Sequence, residues 1–185
     1  TYSGGTTVGE GVLQGNTSSL QGDILDNASV VFNQASMGTY SGAIAGTGTV
    51  TKQNTGTLIL SNGALHIGGT TVNEGTLLLS GALASTGAVT INAGTFDIST
   101  ISGTSQTIGD LSVIGGNIVL GTKTLIAGTV NNTSYAGVIS GAGSFTKQRA
   151  GTLTLSGIHT YTGTTSISSG RLALSGNGSL ATNSL

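Results

Sequence analysis

The sequence predicts an all-β fold, a right-handed parallel β-helix of about nine to ten coils with roughly 19 residues in each. Three observations lead to it. The phrase TKQNTGTLILS at 51–61 returns as TKQRAGTLTLS at 146–156. From Tyr40 to Gly81 against Tyr135 to Gly176, an offset of 95, no gap is needed and 20 of 42 positions are identical. Such self-similarity marks an array in which each unit buries its apolar face against its neighbours. Inside the long repeat, runs led by glycine recur: GTLILS from Gly56, GTLLLS from Gly75, GTFDIS from Gly94, GTLTLS from Gly151 and GRLALS from Gly170, with successive steps of 19 within each copy. Third, the apolar side chains of each run stand two apart, as do Leu58 and Leu60, or Leu153 and Leu155. Period two is the strand signature.

Taken in order, residues 1–14 are the tail of one repeat and 15–39 a weaker linking section. The first clear copy fills 40–81. Within it TVTK precedes Gly56 and TTVN precedes Gly75, so each coil holds at least two short strands divided by Gly, Asn and Ser turns. ALASTGAVTINAGTFDIST continues the winding. Residues 100–134 form an irregular middle, where GNIVLG from Gly116 follows at a longer step. The second clear copy fills 135–176. Five steps of 19 make 95, so the copies are expected five whole turns apart. Inward residues should stack in ladders, Leu58 by Leu77 and Phe96, and Leu60 by Leu79 and Ile98. Ten coils at about 4.8 Å give a rod of roughly 45 to 50 Å, and crossovers between parallel strands favour the right hand. No charged or proline-rich linker interrupts 1–185, which reads as one elongated domain. It opens in mid-repeat and stops at LATNSL without a cap, so it reads as a segment of a longer rod.

Composition removes several classes. Thirty-three glycines, many Thr and Ser, and few Glu, Lys or Arg disfavour helices. Charged residues are 6% of the chain and the net charge is −1. The five cations, Lys52, Lys123, Lys147, Arg149 and Arg171, are dispersed, and nucleic acid binding needs them clustered. Lys52 and Lys147 occupy the same repeat position. Without cysteine there is neither a disulfide nor a thiolate metal site. Apolar runs are too short to span a membrane, and no stretch reads as a signal peptide.

The search for chemistry yields no catalytic, metal or cofactor residues. The acids are Glu10, Asp23, Asp26, Glu74, Asp97 and Asp110. Only Asp23 and Asp26 are close in sequence, while Asp97 and Glu74 would have to meet across adjacent coils. Each is expected at a surface or turn. His66 and His159 are expected in turns or grooves, and Tyr2, Tyr40, Tyr135 and Tyr161 packed at coil edges rather than against sugars. No serine has a nucleophile-elbow context. Asn16, Asn27, Asn131, Asn132 and Asn177 head Asn-x-Ser/Thr triplets that so hydroxyl-rich a chain produces by composition.

The string YAGVISGAGSFTKQRAGTLTLSGIHTYTGTTSISSGRLALSG from Tyr135 resembles the passenger-associated transport repeat of bacterial autotransporters, the type V secretion passengers of the AIDA-like adhesin group. The copy from Tyr40 resembles it too, as do the opening residues, so the likeness covers about two-thirds of the chain. It departs at Asn54 and Arg149, where the family commonly has Gly, and at His159, where it has Asn. His66 stands where Tyr161 supplies an aromatic. The resemblance implies a surface-displayed or secreted passenger, carried by its own C-terminal outer-membrane β-barrel, with partners on a host-cell surface or a sister cell. It implies an adhesive or structural stalk module that supports passenger folding and export, and no enzyme. The alternatives are a stalk whose effector lies in N-terminal sequence outside this chain, and a polysaccharide-cleaving β-helix, which scarce acids disfavour. Ice binding through outward threonines is set aside because Thr-x-Thr does not recur on every coil.

Overall fold

The computed structural model describes residues 4–112 and 115–181. Tyr2, Val113, Ile114 and the last residues of LATNSL lie outside the described residues.

Every described strand pairing is parallel, and the strands form three walls. The first wall stacks Thr6–Val8, Ile24–Asp26 and Ile44–Ala45, then the single bridging residues Ala64 and Leu83. Above these come Ser105–Thr107, Thr124–Ala127, Ser144–Lys147 and Thr165–Ile167. The second stacks Val12–Gly15, Ser29–Asn33, Thr49–Gln53, Thr70–Val72, Val89–Ile91 and Leu111–Ser112. Thr133–Tyr135 packs on Leu111–Ser112 and carries Thr152–Leu155 and Arg171–Leu174. The third stacks Gly38–Tyr40, Thr57–Leu60, Thr76–Leu79, Thr95–Asp97, Asn117–Val119 and Val138–Ser140. No α-helix occurs among the described residues.

The chain is thus a parallel β-solenoid. From Thr6 to Thr165 it returns to the first wall eight times. Eight turns in 159 residues average about 20, fewer and longer coils than the expected nine or ten of 19, and at about 4.8 Å each they span about 38 Å. The step is 19 only locally, as from Leu58 to Leu77 to Phe96, where the turns are tightest. The excess is concentrated in the irregular middle, where 23 residues separate Leu83 from Gln106. There a side chain replaces the missing strand pairing. The Gln106 carboxamide accepts from the Leu83 N–H at 3.1 Å and donates to the Leu83 carbonyl at 3.2 Å.

The longer coil corrects the spacing of the two copies. Thr49–Gln53 lies in the second wall, whereas its sequence equivalent Ser144–Lys147 lies in the first. Likewise Thr57–Leu60 belongs to the third wall and Thr152–Leu155 to the second. Ninety-five residues therefore make four and two-thirds turns, not five, and the second copy is rotated by one wall.

The core is the stack of inward residues. Leu58, Leu77, Phe96, Ile118 and Ile139 form one ladder, in register and fully buried. Tyr40, Leu60 and Leu79 form the next, continued by buried Ile98 and Leu120. Each buried Leu or Phe contributes about 1.5–3 kcal/mol by leaving water. Backbone hydrogen bonds tie each coil to the next, so contacts are those of a quasi-one-dimensional array.

Candidate functional site

Several polar and charged side chains lie inside the shaft. Lys52 shares inward parity with Val50 and stacks between Phe32 and Val72, fully buried. Its Nζ donates to the carbonyls of Asn54 at 2.5 Å, Gln53 at 2.9 Å and Glu74 at 3.2 Å. Lys147 repeats the arrangement one wall round, donating to the carbonyls of Gln148 at 2.6 Å and Arg149 at 2.8 Å. The carbonyls converge because Asn54 and Arg149 have φ of 69° and 60°, left-handed backbone that glycine adopts without strain. Burial pulls both ammonium groups below their usual range, opposed by Glu74 near Lys52 and Asp110 near Lys147. Both lysines brace turns and are closed to any ligand.

Tyr40, Tyr135, Tyr161 and both histidines are also internal. Tyr40 and Tyr135 hydroxyls donate to the carbonyls of Gly22 and Gly116 in the coil below. A Cβ at Gly137 would stand 2.0 Å from the Gly116 carbonyl oxygen and 2.6 Å from the Tyr135 hydroxyl, so the Tyr-x-Gly spacing is a packing requirement. Burial pushes the Tyr40 phenol up to about 12, with Asp23 adding to it. His159 stacks on Tyr135 at 6.0 Å and 17°, and its Nδ1 accepts from the Ile139 N–H at 3.1 Å. Its Nε2 is buried without a hydrogen-bond partner, and burial lowers the ring to about 4. His66 meets the Gly69 carbonyl at 3.1 Å and the Thr70 hydroxyl at 3.0 Å through Nε2, and burial lowers its pKa. Both rings belong to connections between strands, His66 after the Ala64 bridge and His159 after the Ile158 bridge, and are buried inside the shaft.

The carboxylates do not converge. Asp23 is exposed and accepts from the Ala43 N–H at 2.7 Å. Asp26 points inward, is fully buried, and holds one oxygen on the Ala28 N–H at 3.0 Å, while Oδ2 has no hydrogen-bond partner. Its burial, against an expected surface place, raises its pKa. Asp97 stands beside Leu78 on the third wall and accepts from Ser99, whereas Glu74 sits exposed after the second wall. Asp110 is taken up by the Thr129 hydroxyl at 2.5 Å and the Asn131 amide at 2.7 Å. Glu10 is exposed. No group of three or more His, Cys, Asp or Glu suited to a metal occurs among the described residues.

What faces solvent is the outward half of each wall. On the second wall Thr51, Thr71, Thr90 and Ser112 form a hydroxyl column, with Thr90 and Ser112 oxygens 3.1 Å apart. Amides run beside it, with Asn54 donating to Asn33 at 3.2 Å and Asn92 to Asn73 at 2.8 Å. On the first wall the outward column is apolar from Leu25 to Ala84 and includes Leu25 and Leu65, 47% and 57% exposed, with Thr7 below and Thr107, Thr146 and Ser166 above. These outward columns repeat from coil to coil along the shaft. The sequence carries their signal in the strand parity, which marks Lys52 as inward and Leu65 as outward.

A family model described as passenger-associated-transport-repeat matches residues 1–14, 50–79, 75–98 and 145–174, just over half the chain. An adhesin from Brucella suis biovar 1 (strain 1330), the BmaC autotransporter, is 35% identical over 141 residues, 72% of this chain and 4% of that protein. No solved structure matches.

Proposed function

Because the chain belongs to the passenger-associated-transport-repeat family of autotransporter passengers, we propose that it is an adhesive or structural shaft segment whose winding supports passenger folding and export. Passengers of this kind are displayed at the cell surface or secreted, and on this reading the whole protein would carry an outer-membrane barrel. No helix among the described residues is long and apolar enough to cross a membrane.

The observation that carries the reading is the parallel stacking in which each coil is hydrogen-bonded to its neighbour. A coil emerging from a membrane can then add to the one already folded without waiting for distant sequence. With Lys52, Lys147, His66, His159, Tyr40, Tyr135 and Tyr161 buried, no catalytic constellation reaches the surface among the described residues, which supports a non-enzymatic role. The adhesin relative points to contact with other surfaces as the use of the exposed walls.

Proline at Leu153 tests the export role. Leu153 is buried and sits between Thr133 and Leu172 in the second wall, so proline removes an N–H from a central ladder. Full-length protein carrying Leu153→Pro should reach the surface in reduced amount. Undiminished display would exclude folding-assisted export. Beads coated with the isolated chain should bind cells; if they do not, the segment is a stalk and the adhesive site lies elsewhere.

A further inference from the structure

We propose that Asn62 and Gly63, in the turn between Thr57–Leu60 on the third wall and the bridging residue Ala64 on the first, form a self-modifying site that converts Asn62 to isoaspartate with water as its only co-reactant. Closure of a succinimide ring needs three things together. A carboxamide must lie within reach of the next residue's nitrogen, that residue must lack an obstructing side chain, and the peptide unit between them must be free to turn. Two asparagines precede glycine, Asn62 and Asn177, and both are exposed. At the first, the Gly63 N–H donates to Asn62 Oδ1 at 2.9 Å, which brings the nitrogen into contact with Cγ, close to the about 3–3.5 Å from which attack proceeds. The peptide unit is untied: among the described residues the Gly63 N–H has no other partner and the Asn62 carbonyl accepts no hydrogen bond. At the second, the Gly178 N–H is held by the Ser175 carbonyl at 2.9 Å. Asn54 makes the same contact as Asn62, its Oδ1 accepting from the Thr55 N–H at 2.8 Å. There the branched Thr55 side chain obstructs closure. The sequence offers two Asn-Gly pairs, and the fold selects one.

Hydroxide takes the proton from the Gly63 nitrogen, whose electron pair forms a bond to Asn62 Cγ. The bond from Cγ to the side-chain nitrogen breaks, and that nitrogen takes a proton from water and leaves as ammonia, which returns the hydroxide. Water then adds to one of the two imide carbonyls and breaks its bond to nitrogen. Opening at Cγ gives aspartate, and opening at the main-chain carbonyl gives isoaspartate. Nothing is oxidised or reduced. In the isoaspartate the main chain runs through Cγ, one carbon longer, and a carboxylate replaces the carboxamide, taking the net charge from −1 to −2. The extra carbon falls where the first wall is pinned on both sides. The Gly63 carbonyl accepts from the Ile44 N–H at 3.2 Å, and the Ala64 N–H donates to the Ala82 carbonyl at 2.9 Å. Conversion therefore loosens the first wall between these coils and puts a charge beside exposed Leu65. The site belongs to this turn and stands whether or not the chain serves in adhesion.

Ageing the purified chain at mildly alkaline pH, with peptide mapping by mass spectrometry and an isoaspartyl methyltransferase as the probe, tests it. Isoaspartate should accumulate at 62 about three- to tenfold faster than at 177, the factor by which a hydrogen bond of ordinary strength protects Gly178. In urea the two rates should converge. Gly63→Ala should fold, since a Cβ there meets nothing nearer than the Leu65 side chain at 3.6 Å, and its methyl should all but stop conversion at Asn62. Thr55→Gly, at an exposed residue, should open position 54 as a second site. Amide exchange at Ile44 should quicken as isoaspartate accumulates and stay as it was in Asn62→Asp, which carries the charge without the longer chain. Circular dichroism checks that the variants fold, and the comparison of 62 with 177 in the folded and urea-unfolded wild type decides if they do not. Equal rates at 62 and 177 in the folded chain, conversion undiminished by Gly63→Ala, a folded Thr55→Gly without product at 54, or unchanged exchange at Ile44 would each overturn the proposal.

Discussion

His159 should make the shaft acid-sensitive in a way one substitution can isolate. Its ring is 1% exposed, stacked on Tyr135 and 6.4 Å from Tyr161, with Nδ1 occupied by the Ile139 N–H. The folded chain accepts a proton there only near pH 4, against about 6.5 when unfolded. Above pH 6.5 both states hold neutral imidazole and stability is full. As the pH falls below 6.5 the unfolded chain takes up the proton first, and the loss is complete below the folded value. The interval corresponds to about 3 kcal/mol. His159→Asn keeps an acceptor for Ile139 and removes the titration. Urea midpoints followed by circular dichroism from pH 8 to 4 should coincide in slope above pH 7, with the wild type falling by about 3 kcal/mol relative to the variant at pH 4. His66 acts in the same direction and Asp26 in the opposite one, but both are common to the two proteins and cancel. A flat difference curve would refute the assignment of a buried, neutral His159.

Three further outcomes follow from the interior. Lys52→Met retains the apolar stem and strands the Gln53, Asn54 and Glu74 carbonyls; after the relief of burying an ammonium, a net loss of about 2 kcal/mol is expected in urea unfolding, and an equal or higher midpoint would show that the bonds contribute nothing. Arg149→Gly should raise stability by about 1 kcal/mol, since a non-glycine residue at φ 60° is strained. Asn54→Gly should be near neutral because its side chain binds the Thr55 N–H at 2.8 Å and Asn33; identical gains at both sites would contradict this. Gln106→Leu leaves the Leu83 N–H and carbonyl without their partner and should cost about 2–4 kcal/mol, with amide exchange accelerated first around Leu83.

The ladder of Leu58, Leu77 and Phe96 was legible because apolar parity and a constant 19-residue step coincide there. The rotation of the second copy was not. It arises from a 23-residue coil whose register is held by the Gln106 side chain, and a hydrogen bond from one side chain leaves no trace in periodicity. The inward place of Lys52 and Lys147 is legible only in their parity with Val50 and Phe145, since residue type alone speaks against burying an ammonium. The Gly expected at 54 and 149 has its reason in the left-handed turn whose carbonyls those lysines gather. Asp26 was misplaced because a lone carboxylate rarely goes inward, and the glycines stacked over it, Gly46 and Gly48, give it room.

Disulfide trapping in this cysteine-free chain tests the stacked winding most directly. Thr71 and Thr90 are paired neighbours on the second wall, and Thr146 and Ser166 on the first. Adjacent parallel strands place paired Cα atoms about 4.8 Å apart, within disulfide reach. Each double-cysteine variant should close an intramolecular disulfide on mild oxidation while keeping its β spectrum. Thr51 with Thr146, equivalent in sequence but on different walls, should never close. Free thiols or only intermolecular bonds in the two neighbour pairs would contradict the parallel stacking.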